Sequence, residues 1–195
     1  MKKRKFPLFL VLGICLILIS VSMVLVLQIR MRLGEQYCQK ILSSMEQLLP
    51  ERTTGIPGSY LASSMPALEI EGADFVAMLE VPSFGVTLPV ADQWDSNSLY
   101  LSPSRFYGSV YDNTLIVGGD DNSRQFDFCD KIEHGARIIV TDMTGAQFTY
   151  AVSRIDRAKH AQTQWLMGSD YALTLFCHDV HSMEYIAVRC NLASN

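Results

Sequence analysis

Two segments near the end of the chain decide how the rest is read: Leu173-Thr174-Leu175-Phe176-Cys177 and Tyr185-Ile186-Ala187-Val188-Arg189-Cys190-Asn191. Both are short runs rich in aliphatic, β-branched and aromatic residues, with polar residues between them, so they read as the last two strands of a sheet. Alternation along the first strand puts Leu173, Leu175 and Cys177 on one face and His178 on the other. Upstream the same pattern recurs. Phe75–Val81 ends at Pro82, Gly85–Val90 follows, and Thr114–Val117 is stopped by Gly118-Gly119. Arg137–Thr141 and Gln147–Val152 flank Asp142-Met143-Thr144-Gly145, a strong hairpin signal. Short strands with few helical stretches between them predict a mostly β domain. A closed or nearly closed barrel would leave no strand edge exposed.

The start of the chain is different in kind. Phe6 to Leu27 contains no charged residue. At about 1.5 Å per residue it reaches roughly 33 Å, enough for a hydrocarbon core of about 30 Å. It is too long for the apolar core of a cleaved signal peptide. Lys2, Lys3, Arg4 and Lys5 precede it, and only Arg30 and Arg32 lie just after it, so the N-terminus is expected in the cytoplasm and the remainder outside. The expected organisation is a basic tail over 1–5, a membrane anchor over 6–28, a helical stalk over 29–49, a linker over 50–66 and a β-domain over 67–195. The stalk reading rests on Leu33, Tyr37, Ile41, Met45, Leu48 and Leu49, which recur at helical spacing. The linker is rich in Pro, Gly, Ser and Thr.

The net charge is −4, and the stretch from Glu51 onward is acidic on balance, which argues against a nucleic-acid partner. The five cysteines, at 15, 38, 129, 177 and 190, form neither a CxxC pair nor zinc-ligand spacing, and no disulfide framework is expected. Asp120, Asp121 and Asp127 lack the alternation and glycine of a calcium loop. No metal or cofactor is expected.

With these features in view, the chain resembles the sortase family. The resemblance rests on the Leu173–Cys177 segment, similar to the family's TLxTC motif, with Arg189 on the next strand. It extends through Val81-Pro82, Leu88-Pro89-Val90, Pro103–Ser109 and Thr141–Gly145, and the N-terminal anchor fits it as well. It implies an eight-stranded β-barrel with short helices, anchored in the cell membrane of a Gram-positive organism. It also implies a cysteine transpeptidase. The thiol attacks a Thr–Gly-type bond in the sorting-signal peptide of a surface protein, and an amine of the cell wall or of a pilin resolves the thioacyl enzyme.

On that resemblance the catalytic residues would be Cys177 as nucleophile, Arg189 as oxyanion stabiliser and, at the position of the family's histidine, Asp120. Phe176, His178 and His181 would contact the peptide. Two departures stand out. The family's Gly-His-Asn-like stretch reads Gly118-Gly119-Asp120-Asp121-Asn122 here, and TLxTC is one residue short, with Phe176 before Cys177. A carboxylate at the histidine position raises a thiol's pKa and is a poor acid for a leaving amine. Loss of a general acid–base costs about 10²–10⁴-fold in rate. The alternative to a transpeptidase is therefore a catalytically impaired homologue that holds sorting-signal peptides or assists another envelope protein. For Cys177 itself the plain alternative is a small buried filler. Trp94, Tyr100, Phe106 and Tyr107 either line a peptide groove or complete the core.

Overall fold

A computed structural model describes residues 6–57, 64–121, 125–160, 162–167, 170–179 and 182–193. One helix, α1 (Phe6–Leu48), includes both the expected anchor and nearly all of the expected stalk without a break. From Phe9 to Ile29 its apolar side chains are largely exposed. The helix is long and apolar enough to cross a membrane once, with a mean hydropathy of 3.1 over its best window. Beyond the apolar stretch it packs on the domain. Ile41 and Met45 are fully buried against Ile70, Phe75 and Met78. Each is worth about 1.5–3 kcal/mol as area removed from water.

The domain is a closed barrel. Its strands are β1 (Thr53–Thr54), β2 (Leu68–Ile70), β3 (Ala73–Val81), β4 (Val86–Ala91), β5 (Ser104–Tyr107), β6 (Leu115–Gly118), β7 (Arg137–Asp142), β8 (Ala146–Ala158), β9 (Leu173–Asp179) and β10 (Glu184–Leu192). The order β8-β10-β9-β6-β5-β4-β3, with β7 pairing both β3 and β8, closes a ring of eight, and β1 and β2 add to its rim. All seven strands expected from the sequence are present. β5 escaped sequence reading because Ser-Arg-Phe-Tyr carries no apolar alternation. The expected linker is partly built into the domain, because Thr53 and Thr54 pair in parallel with Ala146 and Gln147.

The hairpin between β7 and β8 forms as its sequence demands. Gly145 takes φ +83°, a conformation that L side chains rarely adopt. The buried Asp142 carboxylate accepts hydrogen bonds from the Thr144 and Ala146 amides at 2.8 and 2.9 Å and from the Tyr111 hydroxyl at 2.7 Å. A short helix, α2 (Thr163–Met167), lies in the connection from β8 to β9 and buries Leu166 against the outside of the barrel.

Candidate active site

β9 and β10 form an antiparallel pair, and their register determines which side chains can meet. Thr174 is opposite Arg189, Phe176 opposite Ala187, Cys177 opposite Ile186 and His178 opposite Tyr185. Paired residues share a face, and neighbours in sequence do not. Leu173, Leu175, Cys177, Ile186, Val188 and Cys190 therefore point into the barrel and belong to its main hydrophobic cluster. Thr174, Phe176, His178, Tyr185, Ala187 and Arg189 point outward.

Cys177 and Arg189 thus point to opposite faces of the sheet. Cys177 is 2% exposed and sits in the core. Cys129, on the short turn Asp127–Asp130, belongs to the same cluster. Burial pushes the Cys129 thiol well above its usual pKa, and the neighbouring Cys177 thiol and Asp121 carboxylate push in the same direction. Burial likewise pushes Cys190 up to about 12. Among the described residues all five cysteines are free thiols.

Arg189 is equally fixed, on the other side of the sheet. It is 1% exposed. Its guanidinium donates to the Leu166 carbonyl at 2.9 Å, the Thr174 hydroxyl at 3.1 Å, an Asp156 carboxylate oxygen at 3.3 Å and the Trp165 carbonyl. It also stacks on the Trp165 ring at 5.3 Å. These partners tie α2 down to the barrel, so Arg189 holds structure together here. Along β9 its partner Thr174 lies three residues from Cys177, about 10 Å of strand, in addition to the change of face.

A cleft of about 540 Å³ opens on the outer face at the ends of β6 and β9. Trp94, Tyr100, Asp120, Phe176, Cys177, His178 and Tyr185 are among the residues that line it. Of the expected site residues, Asp120, Phe176, Cys177 and His178 thus come together and Arg189 does not. His181 lies outside the described residues. His178 packs edge-on against Tyr185 with ring centroids 4.8 Å apart. Trp94, Phe106 and Phe176 form an aromatic floor with centroids 5.2–5.5 Å apart. Gly118 makes room for it, since a Cβ there would lie 2.2 Å from Trp94. Sequence reasoning missed Tyr185 at the site. Only the register of the hairpin, which pairs it with His178, marks it. Among the described residues no group of three or more His, Cys, Asp or Glu side chains is gathered as a metal-ligand set.

The comparisons with known proteins agree with this architecture. The family model for the sortase domain matches residues 79–192. No curated protein sequence matches significantly. Sortase A from Corynebacterium diphtheriae superposes with a TM-score of 0.55 at 18% identity, over 63% of this chain and 62% of that one. This chain thus spans less than two thirds of that protein. Sortase C1 from Streptococcus agalactiae gives 0.54 at 22% identity, over 71% of this chain and 74% of that one. Sortase C from Clostridium perfringens gives 0.53 at 18% identity, over 63% and 71%. The family model takes in more than half of the chain, and the barrel is the one anticipated from sequence: this protein belongs to the sortase family.

Proposed function

We propose that this chain is a sortase homologue that binds sorting-signal peptides at the outer membrane-facing surface of the cell envelope without forming a thioacyl enzyme. One observation carries the reading: Cys177 is 2% exposed and packs in the core cluster, even though it is among the residues that line the cleft. An attacking thiolate must reach the scissile carbonyl, and a thiol packed in the core cluster with Leu175 and Ile186 is poorly placed to do so. The motif supports the same reading. Taken without a deletion, TLxTC falls on Thr174 to His178, which puts Cys177 at the motif's Thr and His178 at its Cys. With Asp120 at the histidine position, the cleft then presents an imidazole and a carboxylate where the family has a thiol and an imidazole. An imidazole there cannot yield the family's thioester. An aromatic floor with polar walls suits an extended peptide. The orientation, with the domain outside, rests on the basic N-terminus.

A second reading, ordinary transpeptidation through Cys177, has family membership and the place of Cys177 among the cleft's lining residues in its favour. Full-length protein incubated with a synthetic peptide containing a central Thr–Gly bond separates the two. The expected result is saturable binding with no covalent adduct by intact mass. An adduct on Cys177, abolished in Cys177→Ala, would overturn the proposal in favour of the second reading.

A further inference from the structure

The cleft is not built from the barrel alone. Arg30, on α1, lines it together with Asp120, Asp121 and His178, and it is the one Lys or Arg among the described residues that do so. Three contacts hold that part of the helix against the loop forming the cleft's rim. Arg30 lies over the Tyr100 ring at 5.4 Å. Gly34 lets the helix backbone approach so closely that a Cβ there would be 2.2 Å from the Tyr100 carbonyl oxygen. The Cys38 thiol donates to the Leu101 carbonyl at 2.9 Å. Arg189 meanwhile is spent on α2 and Asp156 and leaves the cleft without a cation of its own.

From this we infer that the membrane-proximal turn of α1 is a wall of the binding site, and that Arg30 supplies the cation that holds the peptide's carbonyl or carboxylate oxygens. The inference rests on the peptide-binding reading and adds a residue and a location to it. Arg30 is three residues past Leu27, about 4.5 Å of helix rise beyond the apolar stretch. The cleft therefore lies close to the lipid surface. A guanidinium can hold such oxygens through two hydrogen bonds at once, and the Tyr100 ring fixes its direction.

The test uses the full-length chain in nanodiscs of zwitterionic lipid, so that anionic headgroups do not compete. A fluorescein-labelled peptide with a central Thr–Gly bond reports binding by anisotropy. Arg30→Ala is expected to weaken binding about tenfold or more, Arg30→Lys less, and Gly34→Leu, which forces the helix off Tyr100, about as much as Arg30→Ala. Arg32→Ala, an equal loss of charge outside the cleft lining, is expected to stay within about twofold. Equal binding by wild type and Arg30→Ala overturns this inference and leaves peptide binding intact. No binding by wild type overturns the peptide-binding reading and this inference with it.

Discussion

The two faces of the β9–β10 hairpin both carry chemically capable side chains and use them in opposite ways. The inner face holds Cys177 and Cys190 as packing atoms among Leu173, Leu175, Ile186 and Val188. The outer face holds Arg189 in a closed hydrogen-bond set at one end and His178 with Tyr185 at an open cleft at the other. What a family motif implies about chemistry is thus conditional on a single parity, whether the thiol lies an odd or an even number of residues from the position that faces solvent. A slip of one residue moves every side chain of a strand to the other face.

The contrast is broken most severely by removing Arg189. Arg189→Leu leaves the Asp156 carboxylate without its buried partner and the Trp165 and Leu166 carbonyls without their donor. Losing one member of such a set costs about 3–5 kcal/mol. Thermal unfolding of the domain is expected to show that loss, with α2 detaching first by hydrogen exchange. A change below about 1 kcal/mol would mean that Arg189 is not the structural residue its contacts describe.

Next in size is thiol reactivity. Cys190 is pushed up to about 12 from 9.0, so at pH 9 its thiolate fraction is about a thousandfold below that of an ordinary thiol. Alkylation of Cys190 in the folded chain is expected to be slower by at least that factor and to proceed only through unfolding. The same shift links to stability. The contribution is complete below pH 9, where the thiol is protonated in both states. It is lost as pH rises toward 12, because the unfolded chain releases its proton first. Peptide mapping after timed alkylation reads the first effect, and denaturant midpoints across that pH range read the second.

How much of this was legible in the sequence follows from which physics is local. The alternation of Leu173, Leu175 and Cys177 on one face was readable, because it is set by strand geometry alone. That this face is the core was not, because the pairing of Thr174 with Arg189 is set by the turn between the two strands. Nothing within either strand encodes it. The barrel was legible from strand runs and the Asp142–Gly145 hairpin, whereas β1 was hidden in a stretch composed like a linker. A helix apolar and long enough to cross a membrane was readable from Phe6 to Leu27. The packing of the same helix on the cleft was not, because it depends on Gly34 meeting a carbonyl some 66 positions away.

Smaller again is the effect of changing the thiol to a hydroxyl. If Cys177 is a core atom, Cys177→Ser buries a hydroxyl among aliphatic side chains and destabilises by about 1–3 kcal/mol. Cys177→Ala costs less, since it creates only a small void. Peptide binding should survive both. A serine variant as stable as wild type would place the side chain in water and reverse the assignment of faces.

The smallest effect is the most exact probe of the outer face, because two arginines share one carboxylate there. Asp156 accepts from Arg189 through one oxygen at 3.3 Å and from Arg154 through the other at 2.5 Å. The side chain of Arg154 is 66% exposed and that of Arg189 only 2%. The shorter distance belongs to the pair that matters less. In water the attraction between Arg154 and Asp156 is screened, and holding a long side chain still offsets most of what remains, so Arg154→Ala is expected to cost no more than about 0.5 kcal/mol. That loss should vanish in 1 M salt, whereas the cost of Arg189→Leu should persist, because its guanidinium is buried. Denaturant midpoints for both variants at low and high salt make the comparison. Equal salt sensitivity would show that burial does not separate the two arginines.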